Sequence, residues 1–180
     1  MSMDGPSERT PGRRHIVSIE LLLDAASEAA VREDWARLAE AGLSSSGRHP
    51  SPSSRPHVTL LVRPTLAPVP FDDAVALLPV PVLLGAPIVF RHGDRGVLAR
   101  GVEPSPELLA LHQAVHAGAP PGPDAAHTRP GEWTPHVTLA RRLRLDALDE
   151  ALALLGPPIS GSGVALRRWD SAEAKVTPLG

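Results

Sequence analysis

Two histidines lie in the same short motif at two places in the chain. The pentapeptide Pro-His-Val-Thr-Leu occupies residues 56–60 and again residues 135–139, and this repetition indicates an internal repeat. Side chains of a β-strand point alternately to its two faces, so each motif would present His and Thr on one face and Val and Leu on the other. Two such strands facing one cleft would place two imidazoles and two hydroxyls around a small anion.

These four side chains suit the cleavage of a phosphodiester. One imidazole, of His57 or His136, would take a proton from the attacking water or hydroxyl, and the other would give a proton to the leaving oxygen. The hydroxyls of Thr59 and Thr138 would hydrogen-bond the non-bridging oxygens, where negative charge accumulates. Neither role requires a metal ion, and we expect no cofactor. Because the two motifs are identical, either histidine could be the acid.

Three arginines follow the motifs and could hold phosphate. Arg63 and Arg142 each lie six residues beyond a histidine, which puts them on the histidine face if the strands stay regular. Arg141 would face away unless a bulge intervenes. Trp133 precedes the second motif and could line the cleft against a base or ribose, although a position in the core is slightly favoured.

A second pair of histidines, His112 and His116, lies four residues apart on a predicted helix, a spacing that could bind a metal ion. The segment His-Gln-Ala-Val-His lacks the glutamate of a metalloprotease motif, and no third ligand is evident. An ordinary helix face is the preferred interpretation, with a metal-dependent hydrolase as the alternative.

The residue pattern predicts alternating strands and helices. Asp24 and Ser105 are predicted N-caps, and Pro106 occupies the first helical position after Ser105. Predicted strands are residues 15–23, 57–62, 80–90, 96–102, 135–139 and 164–176, and predicted helices are residues 24–41, 71–78, 105–118 and 145–155. This mixture predicts an α+β fold. We expect one domain over residues 15–179, after a polar lead-in of residues 1–14 that is predicted to be disordered.

Composition limits the possible functions. The chain has 180 residues, a formal charge of −2 and 3% aromatic residues, so neither overall attraction to polyanions nor an aromatic platform for bases is expected. There is no cysteine, which excludes disulfides and a thiol nucleophile. The first residues lack the apolar core of a signal peptide, and no apolar run is long enough to span a membrane. We expect a cytoplasmic protein without an obligate protein partner, and a monomer, because no long apolar stripe is left unpaired.

The paired His-x-Thr motifs resemble those of the two-histidine (2H) phosphoesterase superfamily, specifically its bacterial RNA 2′,5′-ligase and cyclic phosphodiesterase-like (LigT-like) branch. The resemblance extends over residues 15–177 and includes residues 96–118 and the ending His-Val-Thr-Leu-Ala-Arg of the second motif. It implies a bilobal, pseudo-twofold α+β fold, with antiparallel sheets flanking a central cleft and helices outside. Residues 61–64 depart from it, because related sequences often carry an aromatic there.

The resemblance also implies a function. It indicates metal-free action on 2′,3′-cyclic phosphates or 2′,5′ linkages of RNA ends or nucleotides, with His57 and His136 as catalytic residues and Thr59 and Thr138 as phosphate ligands. Hydrolysis and ligation both remain open. The alternative is a non-catalytic module that kept the cleft and binds nucleotides or RNA ends.

Overall fold

A computed structural model describes residues 14–180, so the predicted lead-in lies outside the described residues except for Arg14. Within this range the strands are β1 (Val17–Leu23), β2 (His57–Arg63), β3 (Val80–His92), β4 (Arg95–Val102), β5 (His136–Arg144), β6 (Ile159–Asp170) and β7 (Lys175–Leu179). The α-helices are α1 (Ala25–Glu40), α2 (Asp72–Val75), α3 (Pro106–Gly118) and α4 (Leu148–Leu154). No helix in residues 14–180 is both long and apolar enough to cross a membrane.

The two long helices begin at the predicted caps. The Asp24 carboxylate accepts a hydrogen bond from Ser27 N, and the Ser105 hydroxyl accepts one from Leu108 N. Each bond satisfies a backbone N–H that the first turn of a helix leaves unpaired. Local sequence therefore determines where α1 and α3 start.

The single closing strand predicted over residues 164–176 is wrong. β6 and β7 form a hairpin instead, joined by residues 171–174. The Asp170 carboxylate accepts from Ala172 N at 3.0 Å and from Glu173 N at 3.4 Å, which stabilises the turn. Asp170 is the last residue of β6, so the turn residues follow the strand pattern directly, and the sequence pattern did not predict the turn.

All strand pairings are antiparallel, and the sheet order is β1-β2-β5-β4-β3-β6-β7 with an additional β1–β6 ladder. One lobe contains β2, β1, the second half of β6 and β7, and the other contains β5, β4, β3 and the first half of β6. The β3 and β1 ladders meet on β6 at Gly163, where a Cβ atom would overlap the Leu21 side chain. The predicted α+β class is confirmed.

Each long helix packs against the motif strand of the other half of the chain. α1 lies against β5 and β6, and α3 lies against β2 and β3. The apolar faces of both lobes and both helices form one core of largely aliphatic side chains. The core includes Val58 and Val137, the central residues of the two motifs, and both are fully buried. The strand faces opposite this core are left to form a cleft.

Candidate active site

The two motifs lie side by side and in register. β2 and β5 pair at one position only, Val58 opposite Val137, which is the central residue of each motif. With both valines pointing into the core, alternation directs the flanking side chains to the opposite face: His57 and Thr59 from β2, His136 and Thr138 from β5. All four line one cleft with a volume of about 870 Å³. A slip of one residue would separate these side chains onto two faces.

Both motif histidines are oriented by the same backbone contact. His57 Nδ1 lies 2.7 Å from Arg55 O, and His136 Nδ1 lies 2.7 Å from Thr134 O. A carbonyl oxygen can only accept, so Nδ1–H is the donor in each ring. Nε2 is therefore the nitrogen that remains for proton exchange in the cleft, as a base when bare and as an acid when protonated.

Two tryptophans fix the backbone of the motif threonines. Trp35 Nε1 of α1 donates to Thr138 O at 3.1 Å, and Trp133 Nε1 donates to Thr59 O at 3.0 Å. Trp133 is not among the residues that line the cleft; its ring stacks on His112 with centroids 4.0 Å apart. Trp133 therefore stabilises β2 through contacts made outside the cleft.

A β-bulge follows each motif threonine. Along β2, Thr59 pairs with Glu20 and Leu61 with Ile19, so Leu60 is an extra residue relative to β1. In β5, Thr138 and Ala140 pair with consecutive residues of β4 in the same way. The extra residue reverses the alternation, so the fifth residue after each histidine faces the cleft instead of the sixth.

The bulges decide where the three candidate arginines point. Arg63 turns to the core side, where it is 5% exposed and its Nε lies 2.5 Å from Asp124 Oδ1. Arg141 lines the cleft, as the bulge requires. A second register shift in β5, between the partners of Gly96 and Leu98, brings Arg142 to the cleft as well. Arg63 is therefore a structural residue, contrary to its predicted position on the histidine face.

The two loops that lead into the motifs supply the rim of the cleft. Ser46 N donates to Leu139 O, and Ala125 N donates to Val62 O, so each loop is hydrogen-bonded to a motif strand. Together with the end of β5, the loops contribute the positively charged or titratable side chains Arg48, His49, Arg55, His127, Arg141 and Arg142. The cleft can therefore attract an anion although the chain as a whole carries a charge of −2.

Sequence reasoning missed a buried carboxylate beside the first histidine. Glu20 on β1 is 4% exposed, and its Oε1 lies 3.6 Å from His57 Nε2. Its Oε2 accepts from Arg167 Nε at 2.7 Å, and Ser18 Oγ donates to Oε1 at 2.7 Å. Burial would raise the pKa of Glu20, but the charges of His57 and Arg167 and the hydrogen bonds outweigh it and hold the pKa below 4.5. In the sequence, the feature that could have indicated this carboxylate is a single charged residue, Glu20, inside the apolar segment Ile-Val-Ser-Ile-Glu-Leu-Leu-Leu.

The environment of the second histidine favours the neutral imidazole. Burial is the main reason that the pKa of His136 lies below 6.5, and the charges of His127, His57 and Arg141 lower it further. The hydrogen bond to Thr134 O acts in the opposite direction. The two motifs are thus identical in sequence and different in electrostatic surroundings.

The second histidine pair serves the packing of α3. His112 Nε2 donates to Thr128 O at 2.8 Å, and His116 Nε2 donates to Leu60 O at 3.0 Å. In residues 14–180 no cluster of three or more His, Asp or Glu side chains is arranged to hold a metal ion. Only the Nδ1 atoms remain available to a metal ion, and His116 Nδ1 lies 3.4 Å from Asp124 Oδ2.

Comparisons with known proteins identify a family for the chain and solved structures that are similar to it. A family model described as the 2′-5′ RNA ligase superfamily matches residues 28–179. The structure of LigT from Escherichia coli in complex with 3′-AMP is similar, with a TM-score of 0.54, 16% identity, and coverage of 92% of this chain and 95% of that one. Usb1 from Kluyveromyces marxianus gives a TM-score of 0.47 and 16% identity over 94% of this chain and 99% of that one. A search of curated protein sequences returned no match.

Proposed function

The chain belongs to the 2′-5′ RNA ligase superfamily of 2H phosphoesterases, and on that premise we propose that it hydrolyses 2′,3′-cyclic phosphates at RNA ends or on nucleotides. The observation that carries the proposal is the register of β2 and β5, with Val58 opposite Val137. This register supports the joint action of two imidazoles and two hydroxyls on one phosphate. Cleavage or joining of 2′,5′ linkages uses the same groups in related or reverse steps.

The reaction needs one proton acceptor and one proton donor. Nε2 of one motif histidine takes a proton from water while the water oxygen bonds to phosphorus. The bond from phosphorus to one ribose oxygen breaks, and that oxygen receives the proton held on Nε2 of the other histidine. The product is an open-chain phosphomonoester, and the two histidines have exchanged protonation states.

The remaining groups stabilise charge on the phosphate. Thr59 and Thr138 lie beside the histidines on the cleft face and can donate to the non-bridging oxygens as these become more negative. Arg141 and Arg142 at the rim add positive charge, with the planar donor geometry that suits phosphate oxygens. LigT of Escherichia coli, which has the same fold, was solved with the nucleoside phosphomonoester 3′-AMP.

The direct test is incubation of the purified protein with 2′,3′-cyclic nucleotides, with and without EDTA. Wild type should form a phosphomonoester and should keep its activity in chelator. His57→Ala and His136→Ala should each lose about two to four orders of magnitude in rate, the usual contribution of a general acid or base. His92→Asn, a change at an exposed histidine at the end of β3, is the matched control and should retain the wild-type rate.

Other results would contradict the proposal in different ways. Full activity in either motif variant would exclude the two-histidine mechanism. Loss of activity in EDTA would indicate a metal-dependent hydrolase. Saturable binding of cyclic nucleotides without product on long incubation would identify the non-catalytic binding module.

A further inference from the structure

We propose that Glu20 is a positioning residue that keeps a proton on Nε2 of His57, so that His57 is the general acid and His136 the general base in cyclic phosphate hydrolysis. This inference rests on the proposed function, and it answers a question that two identical motifs leave open. The asymmetry comes from the strands beside the motifs.

Glu20 is held in one place by its neighbours in the sheet. On β1 it pairs with Thr59 of β2 on one side and with Arg167 of β6 on the other. Arg167 Nε and Ser18 Oγ each bond one carboxylate oxygen at 2.7 Å. The oxygen that faces His57 Nε2 at 3.6 Å is Oε1, the one that Arg167 Nε does not bond. A carboxylate so fixed and 4% exposed stabilises a protonated imidazole beside it.

The equivalent position next to the second motif has no charge. β4 borders β5 as β1 borders β2, and the residue paired with Thr138 is Ala99, where the first lobe has Glu20. Beyond Ala99 lies Ile88 of β3, where the first lobe has Arg167. The Phe90 ring lies 4.8 Å from that of His136. The pseudo-twofold symmetry of the four motif side chains is therefore broken by their neighbours.

The charged groups around both histidines support the same assignment. His57 lies against Glu20 of β1, and Arg167 of β6 and His136 of β5 line the same cleft. The charged or titratable side chains that lower the pKa of His136 are all nitrogen groups, namely His127, His57 and Arg141. The pKa of His136 is lowered by burial and by these charges, which favours a bare Nε2 that can accept a proton. The further titratable or charged side chains of the cleft are Arg48, His49, Arg55 and Arg142.

In the forward reaction His136 Nε2 takes the proton of the attacking water, and His57 Nε2 gives its proton to the ribose oxygen that leaves phosphorus. The assignment reverses when a ribose hydroxyl attacks to form the cyclic phosphate. After each turnover the proton gained by His136 returns to solvent and His57 is reprotonated. Glu20 takes no proton in the cycle, and its effect is exerted through His57.

The decisive experiment is an NMR titration of the histidine ring nitrogens in nitrogen-15 labelled protein, because this measurement reports ring protonation without requiring turnover. In Glu20→Gln, His57 should lose its Nε2 proton at a lower pH than in wild type, and Glu20→Asp should restore much of the difference. Asp146→Asn removes an exposed carboxylate that pairs with Arg144 outside the cleft, so it is the matched control and should leave the His57 titration unchanged. An unchanged His57 titration in Glu20→Gln would overturn the proposal.

The single variant leaves Arg167 without its carboxylate partner, so a second variant protects the test from loss of folding. Glu20→Gln combined with Arg167→Met removes both charges, and the folded double variant should show a displacement of the His57 titration in the same direction, smaller than in Glu20→Gln because the positive charge of Arg167 is also lost. Asp146→Asn combined with Arg144→Met removes an exposed ion pair outside the cleft, so it is the matched control for the double variant.

Rate measurements then test the roles. Glu20→Gln should lose about tenfold in rate on the alkaline side of the pH profile, the effect expected from removing an opposite charge at this distance. On a cyclic phosphorothiolate, in which sulfur replaces the leaving ribose oxygen and departs without a proton, His57→Ala should regain at least about tenfold of its lost rate and His136→Ala should not. Recovery of His136→Ala instead would reverse the assignment. If wild type turns over neither substrate, the proposed function fails while the titration still decides the effect of Glu20.

Discussion

His112 links the stability of the fold to pH, because the fold opposes its protonation. The ring is 2% exposed, donates from Nε2 to Thr128 O and stacks on Trp133. Burial is the main cause that lowers the pKa of His112 from 6.5 to about 4; the contact with Thr128 opposes this, and the charge of His116 adds to it. The folded protein therefore binds this proton more weakly than the unfolded chain does.

The direction of the effect follows from proton linkage. Above pH 6.5 the imidazole is neutral in both states, so its full contribution to stability is present. As the pH falls from 6.5 towards about 4, the unfolded chain takes up the proton and the folded protein does not, so the free energy of unfolding decreases. At about 1.4 kcal/mol for each tenfold difference in proton affinity, this decrease amounts to about 3 kcal/mol.

The assay is urea unfolding of wild type and His112→Gln at several pH values between about 7 and about 4. Glutamine keeps an N–H donor for Thr128 O and does not titrate. Wild type should lose about 3 kcal/mol more than the variant over this range. His136, whose pKa is also lowered, contributes equally to both proteins and cancels in the difference. Equal pH dependence in the two proteins would refute the reasoning.

Two further predictions separate structural from functional charges. Arg63→Ala should lower the free energy of unfolding by about 3 kcal/mol, because it leaves the partly buried Asp124 without its partner, and the folded variant should show little change in KM. Arg141→Ala should instead raise KM with little change in Tm. The opposite pattern would contradict the faces that the bulges assign to these two arginines. Asp34→Ala should cost about 3–5 kcal/mol in urea unfolding, because the 1% exposed Asp34 carboxylate binds Arg100 Nε at 2.7 Å, and a loss below about 1 kcal/mol would show that the pair is unimportant.

The amino-acid sequence determined the local elements and the identity of the four candidate side chains. Asp24 and Ser105 cap helices through bonds to residues three positions later, and such contacts are visible within one turn of chain. The alternation of His57, Val58 and Thr59 along a strand is equally local. The repeat of the motif adds the expectation that the two sets meet, since internal repeats fold alike.

Only the tertiary structure decided what surrounds those side chains. Arg63 and Arg141 exchanged their predicted faces because a bulge depends on the register with the neighbouring strand, and register is a property of two segments. The same dependence placed Glu20 beside His57 and Ala99 beside Thr138, although the motifs themselves are identical. Electrostatic differences between identical motifs arise from residues distant in the chain, because charge acts through space and not along the sequence. The sequence thus specified the candidate side chains, and strand pairing specified their charged neighbours.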